Sequence, residues 1–434
     1  MTHVIRNFDA LAEDALREDA LALAEAGYAA IHVGDALART LRVEGEELVV
    51  STGGTETRRP LRGRRVFFVG IGKCALVAAE SAERIFDDRL TGGIALDVAN
   101  PSAIALKKIE LALGTHPLPS DENAAATARV MRLLDSCAEG DLVVMLVSGG
   151  GSTLLAAPEA PMTVADERAL FELLTDAGAT IEELNTVRKH TSRARGGGLA
   201  RAAFPAEVIA FIVSDVPGND IEFISSGPTV RDDTTVADAQ AVLARYAIEA
   251  LPGTTLIETA KGTEYFERVT NILFLTNRDA LAAMRDEAAR RGYAAAIGDD
   301  AISGEASSEG RALAAALHDA PGKTVRLYAG ETTVTLGDAH GNGGRNQELA
   351  LGALAEVRPG ELLLAFASDG RDNTDHAGAI ADALTRSHAD AHGLDAREYV
   401  AQHRSYDFFT TTGDALKTGY TGSNVSDIII TIKE

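Results

Sequence analysis

The sequence predicts an α/β protein: a parallel sheet covered by helices on both faces, followed by a second, smaller set of strands and helices. Three observations predict it. Short runs of β-branched and apolar residues recur along the chain, each closing on a glycine or hydroxyl turn and leading into a helical pattern. At 434 residues the chain exceeds one ordinary domain. Hydrophobic residues make up 46% of it, enough for two cores, and with aromatics at 5% those cores must be aliphatic.

Residues 9–42 alternate acidic with alanine and leucine positions at helical spacing, which predicts one or two amphipathic helices on the outside of the first domain. RRVFFVGIGKCALVAAESAERIF is the first strand and helix, and TGGIALDVAN the second strand. IELALGTHPLPSDENAAATARVMRLLDSC follows, with Ser120 as N-cap, then DLVVMLVSGGGSTLLAAP. EVIAFIVSDVPGND comes after a helical segment containing NTVRKH. A polar passage over 230–268 carries one helix around AQAVLARYAIEA. From 271 the pattern restarts with NILFLTNRDALAAMRDEAARRGY, AAAIGD, TVRLYAGETTVTLG, ELLLAFASDG and SDIIITIKE. The expected domains are therefore 1–255 and 256–434, the last thirty or so residues being placed to return toward the first.

Acidic residues outnumber basic ones, 64 to 41, for a net charge of -23. Such a field repels nucleic acid and anionic membranes, so neither is expected as a partner. An anionic ligand must be captured by locally placed cations. The basic residues comprise 8 Lys and 33 Arg, and an acidic, arginine-rich chain fits a salt-adapted organism and a GC-rich genome equally. Cys74 and Cys137 lie in apolar contexts and build no disulfide framework. With no signal-peptide pattern and no apolar run of spanning length, a cytoplasmic protein is expected.

In open α/β sheets ligands bind beyond the carboxyl ends of the strands, and the residues there share one character. Ser148-Gly149-Gly150-Gly151-Ser152 joins a strand to a helix with more glycine than a turn requires, leaving backbone N–H groups to cradle an anion. GIGKCA fits the dinucleotide fingerprint G-x-G-x-x-A, and Asp97 ends the next strand, though later than the usual spacing. Lys73 inside that loop reads alternatively as a cation that neutralises a transferring phosphate. NTVRKHTSRARGGGLA holds the densest basic cluster, including Arg188 and Lys189, at the end of a helix. Asp215, Glu331, Asp369 and Asp427 are candidate partners for Mg²⁺ or a substrate hydroxyl. HGNGGRNQELALGAL places Arg345 at the start of a helix, where the helix dipole disfavours a cation unless an anion sits between them. No Walker loop, His-rich zinc spacing or G-x-S-x-G elbow occurs.

Taken in order, GIGKCA, HPLPSDEN, VSGGGSTLL, LNTVRKHTSRARGGGLA, SDVPGND with SSGPT, TNRDAL, GETTVTLG, GNGGRNQELAL, SDGRDNTDHAGA and YTGSNVSD resemble the glycerate 2-kinases of the MOFRL type over nearly the whole chain. The resemblance implies a Rossmann-like N-terminal domain, a smaller C-terminal α/β domain and an active site in the cleft between them. It implies phosphorylation of D-glycerate at its 2-hydroxyl with ATP and Mg²⁺, giving 2-phosphoglycerate. Lys73 and Arg345 match the family's catalytic cations, and Asp215 is the acid expected to join them. On this reading the Ser148–Ser152 loop and Lys189 hold the nucleotide, Gly72, Arg188, Asn346 and Glu331 face the substrate, and Asp369 with Asp215 takes the metal. Ala329, Asn373 and Tyr420 depart from the family pattern, which bears on loop detail rather than on the chemistry. The competing expectation is an NAD(P)-dependent hydroxypyruvate reductase, resting on GIGKCA and Asp97; a non-catalytic small-anion binder is a third. A homodimer is left open.

Overall fold

The computed structural model describes residues 3–98, 104–248, 253–336 and 341–434. The chain forms two compact units, one of residues 33–275 and the other of residues 1–32 with 276–434.

After the helix Val33–Thr40, the first unit has a small antiparallel sheet of β1 (Leu41–Glu44), β2 (Glu47–Thr52) and β3 (Thr55–Pro60). Its main sheet contains β4 (Val66–Ile71), β5 (Leu90–Asp97), β6 (Ile109–Leu113), β7 (Leu142–Val147), β8 (Glu207–Val213) and β9 (Val269–Leu275), all parallel, in the order β6-β5-β4-β7-β8-β9. Both β4 and β7 are buried along their whole length, as continuous apolar runs in a sheet covered on both faces should be. The chain runs outward from β4 in one direction and from β7 in the other, so the topological switch point of this doubly wound, Rossmann-like sheet lies between them. In register, Ile71 faces Val147 and Val147 faces Ile212, which brings the loops after β4, β7 and β8 to one edge.

The second unit is built on β10 (Ala294–Ile302), β11 (Thr324–Gly330), β12 (Glu361–Ala367), β13 (Gly378–Ala381), β14 (Ala415–Leu416) and β15 (Asp427–Lys433), ordered β10-β11-β15-β12-β13-β14. Only β10 and β11 are parallel; the other pairs are antiparallel. The helix Ala15–Ile31 packs against Asn277–Arg290, and Gly27 permits the approach, since a Cβ there would lie 2.8 Å from Met284 Sδ. Buried Arg17 ties the same helix to Asp382 and Asp414.

Four features differ from the sequence reading. The N-terminal helix belongs to the second unit because its apolar face is buried against 277–290. NILFL lies in β9, the last strand of the first sheet, so the division falls after Leu275 rather than near 255; residues 249–252, close to the expected boundary, lie outside the described residues. The terminal strand β15 does not return to the first unit. IIITI is an apolar run suited to burial on both faces, and it sits between β11 and β12. The hairpins β1–β3 went unread because their signal is weak: β3 is exposed or half-buried throughout.

Candidate active site

Two loops at the switch point of the first unit are locked together. The Ser148 N–H donates to Ile71 O at 2.9 Å and the Lys73 N–H to Gly149 O at 3.0 Å, while Cys74 N–H donates to Ser148 Oγ at 3.2 Å. Gly72, with φ of 109°, leaves no room for a side chain: a Cβ would fall 2.3 Å from Ser148 Oγ and 2.4 Å from its carbonyl. The stem of Lys73 passes over the glycine turn, for a Cβ at Gly150 would lie 3.4 Å from Lys73 Cγ and 3.4 Å from His116 Cδ2. The backbone donors of the first loop are thus engaged, whereas among the described residues the N–H groups of Gly149, Gly150 and Ser152 have no acceptor. The expected helix after the glycines is a single turn, Gly151–Leu154. An anion at this turn would rest on those three N–H groups themselves, with little help from a macrodipole.

A second strip of chain braces this turn. Ser225 Oγ donates to Ser148 O at 2.7 Å, Ser226 Oγ lies 2.9 Å from Ser152 Oγ, and Ser226 Oγ donates to Asn185 Oδ1 at 2.8 Å. Ser225 and Ser226 both hold positive φ, 53° and 59°, while buried, a conformation that costs a non-glycine residue on the order of 1–3 kcal/mol. Sequence reasoning assigned no role to either serine or to His116. The only signal was that SSGPT and HPLPSDEN occur among the ordered motifs. Asp215, half-buried, follows β8 at the same edge.

Asp97 is engaged elsewhere than the reductase reading needs. Its carboxylate accepts from Leu76 N–H at 2.8 Å and Val98 N–H at 2.6 Å, and it is buried. It closes the start of the Ala75–Phe86 helix, the position at which a dinucleotide phosphate would otherwise sit.

The basic cluster of 185–195 divides. The helix carrying it ends at Thr191, before the glycines. Lys189 turns inward, 3.1 Å from Asp232 Oδ1, with side chains 5% and 1% exposed; it is absent from the cradle. Burial alone would raise the Asp232 carboxyl, but Lys189 and the Thr234 and Thr259 hydroxyls hold it below the usual range. The Arg188 guanidinium carbon lies over Phe171, 3.4 Å from the ring centroid, in a pocket that Ser152 and Thr153 also line.

In the second unit Arg345 begins the Arg345–Ala353 helix, and the anions that balance it are the protein's own. Its Nε donates to Asp427 Oδ2, Nη2 lies 2.7 Å from Glu331 Oε1 and Nη1 3.0 Å from Glu331 Oε2. Burial works against the guanidinium's charge, yet Asp427 and Glu331 outweigh it and hold the group above its ordinary value. Register explains the convergence: Asp427 at the head of β15 faces Gly330 on one side and Ala367 on the other, just before Glu331 and Asp369. The helix terminus is itself closed by Asp372, whose carboxylate accepts from the N–H groups of Asn346 (3.1 Å) and Gln347 (2.8 Å). The Asn346 amide also turns to Asp372, at 3.2 Å. Burial and neighbouring Asp427 push the Asp372 carboxyl up to about 6. Gly344 must be glycine, because a Cβ there would meet Asp372 Cγ at 2.2 Å. His340, at the head of the motif, lies outside the described residues.

Asp369 Oδ1 accepts from Arg371 N–H at 2.9 Å. Among the described residues one group of three potential metal ligands comes together, Glu13, His388 and Asp414, and Arg17 already lies 2.8 Å from Asp414. No helix among the described residues is long and apolar enough to cross a membrane.

A doubly wound sheet with a lysine and a glycine cradle at its switch point defines an α/β protein equipped to hold an anion at that edge. Residues 19–257 match a family described as a domain of unknown function, DUF4147, and residues 324–427 match the MOFRL family. A glycerate 2-kinase of Pyrococcus horikoshii is 33% identical over 436 residues, 96% of this chain and 97% of that protein. A protein of Agrobacterium vitis provisionally named hydroxypyruvate reductase is 39% identical over 385 residues, 85% of this chain and 86% of that one. The crystal structure of a glycerate kinase from Thermotoga maritima superposes with a TM-score of 0.82 at 30% identity, over 96% of this chain and 99% of that one. The chain belongs to the glycerate kinase family of the MOFRL type.

Proposed function

We propose that this chain phosphorylates D-glycerate at its 2-hydroxyl, using ATP and Mg²⁺ and releasing 2-phosphoglycerate and ADP. The observation that carries the reading is the placement of Lys73 over a glycine turn whose Gly149, Gly150 and Ser152 N–H groups have no acceptor among the described residues. Those donors suit phosphate oxygens, and Lys73 would offset the charge that grows on the transferring group. Phosphoryl transfer asks the protein for positioning and electrostatics rather than for a covalent intermediate. Arg345 is the second cation; its pairing with Glu331 and Asp427 sets its direction and keeps it charged. Asp215 orients the substrate hydroxyl and accepts its proton. Magnesium, held through Asp215 or Asp369 together with phosphate oxygens, would supply neutralising charge on the phosphates.

The engaged carboxylate of Asp97 and the engaged backbone of Gly72–Cys74 weigh against a dinucleotide and so against the reductase. A coupled assay with D-glycerate, ATP and Mg²⁺, with enolase added and phosphoglycerate mutase omitted, tests the reading. Phosphoenolpyruvate is the expected product. ADP without phosphoenolpyruvate would overturn the 2-position, and no ATP consumption would overturn the kinase. Lys73→Ala is expected to lower kcat by roughly 10²-fold or more.

A further inference from the structure

The pocket behind Ser152 and Thr153 is unlike the cradle in front of them. Its walls are Leu170, Phe171, Leu174, Leu184 and Val187, and its charged lining is Glu167, Arg188 and Arg195. Arg195 pairs through Nη1 with Glu167 Oε1, both side chains being almost fully buried, 1% and 6% exposed. That pair leaves two buried atoms without a partner, Arg195 Nε and Glu167 Oε2. Among the described residues the Arg188 guanidinium has no hydrogen bond or ion pair; it rests on the Phe171 ring. Burial, then the proximity of Arg195, depresses Arg188 to about 9, and Glu167 offsets only part.

Two guanidiniums, Arg195 buried and Arg188 half-buried, against one carboxylate leave a unit of positive charge beside apolar walls, which calls for a counter-ion. The free cavity is small, about 20 Å³, which favours a monatomic ion over a larger oxyanion. Apolar walls also select a weakly hydrated monovalent ion over a strongly hydrated one. We propose that this pocket is a chloride site, the ion lying between Arg188 and the unpartnered Nε of Arg195. It would fix the Arg188-bearing helix against Ser152 and Thr153, and its existence does not depend on the kinase reading.

The test is ³⁵Cl NMR line broadening on the purified full chain in potassium chloride. It is paired with thermal melts in potassium chloride and potassium gluconate at equal ionic strength. Chloride is expected to broaden the line saturably and to raise the melting temperature above that in gluconate. Arg188→Met should weaken chloride binding at least tenfold, and Arg188→Lys should restore part of it. Glu167→Gln removes the opposing charge and should tighten binding several-fold, the opposite sign, which a merely structural role would not produce. Identical melts in the two salts, or equal broadening in wild type and Arg188→Met, would overturn the proposal. So would stoichiometric displacement of chloride by D-glycerate, which would make the pocket a substrate carboxylate site. If Arg188→Met does not fold, the sign of the Glu167→Gln effect decides.

Discussion

Arg345→Met separates what the arginine does for the fold from what it does for the reaction. The substitution removes the partner of two carboxylates that differ in exposure. Glu331, 40% exposed, returns to water and loses little, about 0.2–1 kcal/mol. Asp427, 6% exposed, cannot. Stranding one member of a buried pair costs about 3–5 kcal/mol. Because solvent already reaches the guanidinium, whose side chain is 35% exposed, the low end applies, about 3 kcal/mol. For a unit of this size that is roughly 6–12 °C in melting temperature. Calorimetry of the single variant, of Asp427→Asn and of the double variant measures it. The double variant should recover most of the lost stability and none of the activity, since the stranded charge is gone but the cation is too.

The pH dependence has a definite sign. Burial pushes the Asp427 carboxyl above its ordinary value and Arg345 offsets part of that; without Arg345 it rises further. A carboxyl with a folded pKa above its unfolded one, about 3.9, binds more protons when folded. The destabilisation is therefore full above the folded pKa and fades as pH falls toward the unfolded value. The gap between wild type and Arg345→Met should narrow as pH falls from neutral toward that unfolded value. A single variant that melts with wild type, or a double variant no more stable than the single, would refute the reasoning.

Gly72→Ala should destabilise the first unit by more than about 2 kcal/mol in urea melts and abolish ATP-dependent activity, since its φ is 109° and its Cβ would strike Ser148. Lys189→Met removes the nearer of two lysines at buried Asp232, Lys261 remaining at 3.6 Å, and should cost about 1.5–3 kcal/mol while leaving the KM for ATP unchanged in the folded fraction. A raised KM at wild-type stability would instead place Lys189 on the nucleotide. His376 is fully buried, and burial depresses its imidazole to about 4. The unfolded chain takes up that proton near 6.5 and the folded one does not, so stability is present above 6.5 and drains away as pH falls toward 4. His376→Phe should therefore gain on wild type by about 2–3 kcal/mol between pH 7.5 and pH 4.5 in urea titrations.

Much of this molecule was legible because its signals are local. The apolar runs of β4 and β7 require burial on both faces wherever they are placed, and that requirement forecasts a covered parallel sheet. Lys73 and the Ser148–Ser152 turn follow such strands directly, so the sheet alone brings them to one edge. By itself the sequence determined the α/β class, the switch-point loops and the family. Its tertiary structure decided the partners. Whether Lys189 faces a nucleotide or Asp232, 43 residues on, depends on which buried carboxylate the fold sets beside it. Arg345 finds its anions in Asp427, 82 residues away, because antiparallel pairing places the head of β15 between the ends of β11 and β12. The N-terminal helix joins the second unit because its apolar stripe fits Met284 and its neighbours. An amphipathic pattern states that a face must be buried. It carries no record of which distant surface buries it, for long-range packing settles that choice once the elements exist.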